Sequence, residues 1–452
     1  MVFTNDKIQL NICDITVDGA GIGKVEGYPL FVKGAITGDV VEAVVTKTNK
    51  TYGFAKLIRI VTPSNWRNNP VCQCFDECGG CNIMNMDYEG QLKTKSDFVL
   101  GNLLKIGTYN KDDYEYDGII GADDIFNYRN KAQFPVGMYK GKAVCGFYKN
   151  KTHEIVPVKS CHIQNKAIND AVSVVLDFIN EYKIPVYNEK THKGIIRHIY
   201  VRSTTSDELM VVLVCNSENA IKGSDVLKDK LLEKVKLKSL VQNINTKKSN
   251  VVLGYENITL WGDDSVITEV GGIKFNVSPN SFFQVNYRQM EKLYSKAKEY
   301  ACLDKSKTVF DLYCGVGSIS LFMADSCNKV VGVEIVPPAI ENAKLNAKIN
   351  DIDNAEFFCG DCGEVVEKLI NDGYRADVVI VDPPRKGCDE KTLSLINTIS
   401  PDRLVYVSCN SATLARDAKI LKNYGYVLKK ACAVDLFPNS THVECVAQLC
   451  CT

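Results

Sequence analysis

Histidine is scarce in this chain, with five among 452 residues, which argues against a metal centre built on imidazole. No apolar run approaches the roughly 20 residues that a membrane-spanning helix needs. The opening MVFTNDKIQLNICD lacks a basic segment followed by an apolar one, so no secretory leader is read there and cytoplasmic residence is expected. Net charge is missing too: 54 Lys and Arg balance 54 Asp and Glu. A nucleic-acid partner would have to be held by local basic patches rather than by a global field.

Cysteine, by contrast, is abundant, with 19 residues spread along the whole chain. In a cytoplasmic setting this is not a disulfide framework. Most thiols, such as Cys215, Cys302 or Cys432, are expected to be packing residues. Four crowd together in VCQCFDECGGCNIM, at Cys72, Cys74, Cys78 and Cys81, which is enough for a local zinc site.

A chain this long exceeds one core, and its pattern divides in three. Residues 1–62 are short β-runs broken by glycine, which predicts a small β-barrel. Within them GAGIGK imitates a phosphate loop, yet Gly19 is one residue too close to Gly23-Lys24 and Val25 replaces the Ser or Thr; a hairpin turn is expected there. The stretch TKTNKTYGFAKLIR carries Lys47, Lys50, Lys56 and Arg59 with no acid, and suits a solvated strand face or an RNA contact equally. PSNWRNNP reads as a linker. Residues 63–274 mix strands and helices as a central α+β domain, with part of 90–125 expected to pack on the third. From Phe275 to Thr452 apolar strand runs alternate with amphipathic helices, which predicts a mainly parallel, doubly wound, Rossmann-like α/β sheet closed by an antiparallel hairpin at its edge.

DLYCGVGSIS follows the first strand of that sheet, and KVVGVE ends the second on Glu334. Glycines 315 and 317 permit a tight turn at a helix start, and a strand-terminal acid can accept both hydroxyls of a ribose. A dinucleotide fingerprint wants a third glycine where this chain has Ser320. S-adenosylmethionine carries no phosphate and uses an acid before the glycines, here Asp311. Asp361, after FFCG, is placed either for an adenine amino group or as the N-cap of the next helix. Asp382 opens the rigid loop DPPRKG at the end of the fourth strand.

Cys409 ends the fifth strand, RLVYVSC, beside the same crevice. A thiolate adding to C6 of uracil would make the otherwise unreactive C5 able to attack a methyl donor, and a base must then remove the C5 proton. Glu444, in the apolar strand HVECVAQL, is either that base or one polar residue on a strand face.

FFQVN, DLYCGVG, VVGVE, DPPRKG, SCNSATLARD and HVE together resemble the RNA uracil-C5 methyltransferases. Residues 1–62 resemble the RNA-binding barrel called TRAM. Cys72-x5-Cys78-x2-Cys81 with the distant Cys161 resembles the [4Fe–4S] site of the ribosomal RNA branch, leaving Cys74 aside. The resemblance implies Cys409 as nucleophile and Glu444 as base. It implies Gln284, Tyr313, Glu334, Asp361 and Asp382 as binders of S-adenosylmethionine, Phe282 as a contact for a flipped base, and Arg129 and Arg197 as positions near RNA. The expected substrate is 23S ribosomal RNA, with transfer RNA, or a catalytically silent assembly role, as alternatives; a monomer is expected. Ser411 stands where the family has proline, and Ser318 where it often has asparagine.

Overall fold

The computed structural model describes residues 2–150 and 152–451. The chain divides into two compact units: one comprises Met1–Asp97, Phe147–Val156 and Phe437–His442, the other Phe98–Gly146, Pro157–Leu436 and Val443–Thr452.

In the first unit β1 (Lys7–Ile15), β2 (Ala20–Val25), β3 (Tyr28–Lys33), β4 (Val40–Thr48) and β5 (Gly53–Thr62) close a barrel in the order β1-β2-β3-β5-β4. Period-2 alternation turns Leu10, Ile12, Leu30, Val32, Val41, Ala43 and Val45 inward. GAGIGK begins in the expected hairpin turn, where Gly19 at φ +81° donates its N–H to the Thr16 carbonyl at 2.9 Å, and then continues as strand β2, Ala20–Val25. Its glycines serve close packing: a Cβ on Gly21 would lie 2.8 Å from Ile12 Cγ2 and 2.9 Å from the Ala35 carbonyl. A second turn, between β2 and β3, falls at Glu26–Gly27, both at positive φ. The PSNWRNNP segment is tied down, with Arg67 Nε donating to the buried Asp39 Oδ1 at 2.9 Å.

Helix α1 (Tyr88–Lys105) follows, then β6 (Glu115–Ile120), β7 (Lys131–Tyr139), β8 (Lys142–Tyr148), β9 (Ile155–Pro157), α2 (Lys166–Glu181), β10 (Ile196–Ser203), β11 (Glu208–Cys215), α3 (Ser224–Leu232), β12 (Lys236–Ile244) and β13 (Glu256–Gly262). The central sheet runs β13-β12-β11-β10-β7-β8-β9. A separate hairpin pairs β14 (Val266–Val270) with β15 (Ile273–Val277).

The C-terminal sheet alternates α4 (Tyr287–Ala301), β16 (Thr308–Asp311), α5 (Ser318–Ala324), β17 (Lys329–Glu334), α6 (Pro337–Ile349), β18 (Ala355–Cys359), α7 (Cys362–Asn371), β19 (Val378–Val381), α8 (Glu390–Ile399), β20 (Arg403–Ser408), α9 (Ser411–Lys422), β21 (Tyr426–Val434) and β22 (Glu444–Cys451). Its order is β18-β17-β16-β19-β20-β22-β21-β6. The strands β16 to β20 are parallel; β16, β17, β19 and β20 are buried along most of their length and read as apolar runs, whereas the outer β18 is only partly covered. Pro337 and Pro338 occupy the first turn of α6, where no helical N–H is lost. The closing hairpin is not the edge of the sheet. β6 pairs in parallel outside β21, with Lys430 Nζ 2.9 Å from Glu115 Oε2. That pairing explains why Ala431–Val434 are buried. EYDGII is too short and polar to announce a strand.

Candidate active site

Parallel pairing brings the carboxyl ends of β16, β17, β19 and β20 to one margin of the sheet. Order reverses between β16 and β19, which is where ligands bind in such folds. Asp311 ends β16 wholly buried; its Oδ2 accepts from Ser320 Oγ at 2.6 Å, while its Oδ1 has no partner. Burial, partly offset by the Ser320 hydroxyl, pushes its carboxyl up to about 6. Glu334 ends β17 and is fixed by two backbone donors: Val336 N at 3.0 Å to Oε1 and Gly315 N at 3.3 Å to Oε2. Gly315 has φ +54°, and a Cβ there would meet only open space. Ile335 and Val336 beside Glu334 are exposed apolar side chains. An orphaned carboxylate oxygen, an open glycine turn and a fixed acid next to an apolar shelf fit an aminoacyl-adenosine ligand such as S-adenosylmethionine.

The other residues expected at this site have partners within the protein. Tyr313 shares a hydrogen bond between its hydroxyl and Thr392 Oγ1 on α8, at 3.0 Å. Asp361 caps α7, its Oδ1 accepting from Gly363 N at 3.0 Å. Ser318 Oγ lies 3.0 Å from the hydroxyl of Tyr294 on α4. Gln284 is buried, and its backbone carbonyl accepts from Asn130 Nδ2 at 3.0 Å.

Strand β22 runs antiparallel beside β20, with Ser408 opposite Cys445. One further step in that register sets Cys409 against Glu444. Cys409 is half-buried and immediately precedes Asn410, the N-cap of α9. Burial, then the carboxylates of Glu444 and Asp382, push its thiol up to about 11, with Arg385 opposing. Glu444 is 2% exposed. Burial first and Asp382 second raise its carboxyl to about 8, again against Arg385. Asp382 itself is raised to about 7 by burial and by Asp311. A thiol, a high-pKa carboxyl group and a second acid thus share one pocket with the Arg385 cation. Arg385 escaped the sequence reading; the available signal was its place as the basic residue directly after Pro383-Pro384, four positions past the end of β19. Tyr294 was also missed: burial raises its hydroxyl's pKa, as do Asp382, Asp311 and Glu444.

The loop before α4 presents Phe282, which is 72% exposed. It is pinned on both sides, by Arg202 Nη2 to the Ser281 carbonyl at 2.9 Å and by Asn130 N to the Val285 carbonyl at 2.8 Å. Arg197 does not face outward as an RNA contact would. It is buried, and Nη1 and Nη2 donate to the carbonyls of Asn245, Lys247 and Ser249.

In the cysteine loop Gly80 N donates to Cys78 Sγ at 3.4 Å. Burial and the neighbouring Cys72 and Cys74 raise the Cys78 thiol, so these three lie close together. The donor chemistry fits a thiophilic centre. Among the described residues, however, no group of three or more Cys, His, Asp or Glu is drawn together as in a closed metal site.

An α/β sheet of this order, with an acid-flanked glycine turn at its switch point, defines a class of enzymes that transfer methyl groups from S-adenosylmethionine. Residues 87–450 match the tRNA (uracil-5-)-methyltransferase family and residues 5–58 match the TRAM domain. The chain belongs to that family and is an RNA (uracil-C5) methyltransferase. It is 43% identical over 444 residues to an RNA methyltransferase of Clostridium tetani, covering 98% of this chain and 96% of that one. Identity to an RNA methyltransferase of Listeria monocytogenes is 44% over 446 residues, with 98% of each covered. The tRNA (uracil-54, C5)-methyltransferase of Pyrococcus abyssi, solved with S-adenosyl-L-homocysteine, has a similar structure. Its TM-score is 0.76 at 27% identity, over 98% of this chain and 100% of that one.

Proposed function

We propose that this enzyme makes 5-methyluridine through a covalent adduct on Cys409. The carrying observation is the position of Cys409, one residue past the Ser408–Cys445 pair of β20 and β22, where the charges of Glu444 and Asp382 both act on its thiol. The Cys409 thiolate adds to C6 of a uracil taken out of its stack. The thiol proton leaves to solvent before the attack; the Arg385 cation favours the thiolate, and a proton held on Asp382 lessens its repulsion. When bound, S-adenosylmethionine supplies the electrophilic methyl carbon to which C5 bonds. Glu444, ionised for this step and made a stronger base by its raised pKa, then takes the C5 proton as the C5–H electron pair expels Cys409 from C6 and restores the ring. Asp311 and Glu334 would hold the donor's amino group and ribose hydroxyls, and Tyr313, Gln284, Asp361 and Asp382 complete that pocket.

The substrate we infer is 23S ribosomal RNA, gripped by the barrel and presented near Phe282. The support is the TRAM barrel joined to a cysteine loop resembling that of the ribosomal branch. The Pyrococcus abyssi relative, whose substrate is transfer RNA, favours the second reading. Mapping 5-methyluridine in RNA from cells with and without the protein decides between them. Cys72, Cys78, Cys81 and Cys161 would hold a [4Fe–4S] cluster in a structural role. The protein would act in the cytoplasm as a monomer; among the described residues no helix is long and apolar enough to cross a membrane.

The test is incubation with 5-fluorouridine-substituted RNA and labelled donor. A covalent complex that Cys409→Ala abolishes is expected. Glu444→Gln should transfer the methyl group to ordinary RNA and then accumulate adduct. A wild-type enzyme that forms no complex with any RNA would instead be a silent assembly factor.

A further inference from the structure

Strands β7 and β10 are antiparallel neighbours, and their register sets Arg202 directly opposite Lys131. Facing cations on one sheet surface repel each other. Arg129 joins them, its Nε donating to the Lys131 carbonyl at 3.3 Å. Among the described residues none of the three forms an ion pair with a carboxylate. Arg202 is wholly buried: Nε and Nη2 donate to the Tyr200 hydroxyl at 3.1 and 2.8 Å, while Nη1 has no partner. Lys131 Nζ lies 6.0 Å from the centre of the same tyrosine ring. Burial, followed by the charges of Arg202 and Arg129, pulls Lys131 down to about 8.

An uncompensated buried cationic cluster is costly. Its placement gives the cost a use. Arg202 holds the Ser281 carbonyl, and Asn130, between Arg129 and Lys131, holds Gln284 and Val285. The cluster therefore forms the footing of the loop that exposes Phe282. Basic groups beside an exposed aromatic ring are the pairing that grips single-stranded nucleic acid, the cations taking phosphate and the ring taking a base.

We propose that Arg129, Lys131 and Arg202 form an anion subsite for a backbone phosphate of the RNA strand carrying the target uridine. Lys131 and Arg129 touch the phosphate, and Arg202 supplies charge from behind while fixing the Phe282 loop. The subsite rests on the RNA-methyltransferase reading for its ligand, but not on the covalent mechanism.

The experiment measures equilibrium binding of an unmodified 23S ribosomal RNA transcript, and in parallel a transfer RNA transcript. The full chain is titrated between about 50 and 200 mM KCl, where each phosphate contact contributes about 0.7 to 0.9 to the salt slope. Lys131→Gln should weaken binding several-fold and lower the slope by about one contact, while Lys131→Arg keeps the wild-type slope. The exposed Lys183→Gln is the control and should match wild type. Removing a buried, repelled charge should leave the melting temperature of Lys131→Gln equal to or above that of wild type, which separates lost contact from misfolding. A wild-type slope in Lys131→Gln overturns the subsite, even where 5-fluorouridine adducts still form. A reduced slope in a protein that forms no adduct upholds the subsite while the covalent reading fails. Failure of the wild type to bind either RNA overturns both.

Discussion

Glu444 holds its proton to about pH 8 because burial and the nearby Asp382 disfavour its charge more than Arg385 favours it. Asp382 and Asp311 are displaced in the same direction, to about 7 and about 6. Each group binds a proton more tightly folded than unfolded. Their stabilising contribution is therefore complete below the ordinary carboxylate range and is lost as pH rises toward 8. The melting temperature of the ligand-free protein is expected to fall by several degrees between about pH 5 and 8.5. Glu444→Gln should flatten the upper part of that decline, as scanning calorimetry across pH would show; an unchanged profile would place the group outside the buried pocket. Ser411, at the first position of α9, accepts a hydrogen bond from Asn102 Nδ2 at 2.8 Å. A side-chain tether thus stands where the family uses the fixed φ of proline.

At the scale of elements, α9 and the 382–388 loop are locked to each other. Asp417 is buried, and its Oδ2 accepts from the Tyr406 hydroxyl at 2.6 Å and Cys388 N at 2.8 Å. Arg416 donates to Asp417 Oδ1 and to the carbonyls of Lys386 and Cys388. Asn410 Nδ2 reaches the Arg385 carbonyl at 3.1 Å. Gly387, at φ +79°, has no room for a Cβ, which would lie 2.6 Å from Arg416 Nη2 and Asp417 Oδ2. The ARD of the Cys409 motif therefore holds the loop that brings Arg385 to the thiol. Asp417→Ala would strand two buried donors at a cost of about 2–4 kcal/mol. Denaturant unfolding should register that loss. Single-turnover adduct formation should slow more than donor affinity weakens; equal losses in both would mean that the network supports the fold alone.

At the scale of the molecule, zero net charge leaves RNA recognition to separate local features. The candidates we propose are the Tyr52–Phe54 face of the barrel (ring centres 5.7 Å apart), the Phe282 loop and the cation cluster on β7 and β10. Anaerobically purified full-length protein is expected to be brown and to contain iron and sulfide. Cys161→Ser should lose the colour and Cys74→Ser should keep it. Colourless protein with stoichiometric zinc would overturn the cluster, and the reverse pair of phenotypes would move the site into residues 72–81.

The sequence by itself determined whatever rests on local pattern. Apolar runs marked the parallel strands, glycine spacing marked the barrel, and Asp311, Glu334, Asp382, Cys409 and Glu444 stood out because each lies at a strand terminus or one residue past it. Tertiary structure alone decided which distant segments meet. It put β6 outside β21, turned Arg197 inward onto loop carbonyls, set Arg202 against Lys131, and tied Asn102 to Ser411. Periodicity reports which face of an element is buried. It carries no information about the partner that buries that face, and partners are what set these charges, tethers and pairings.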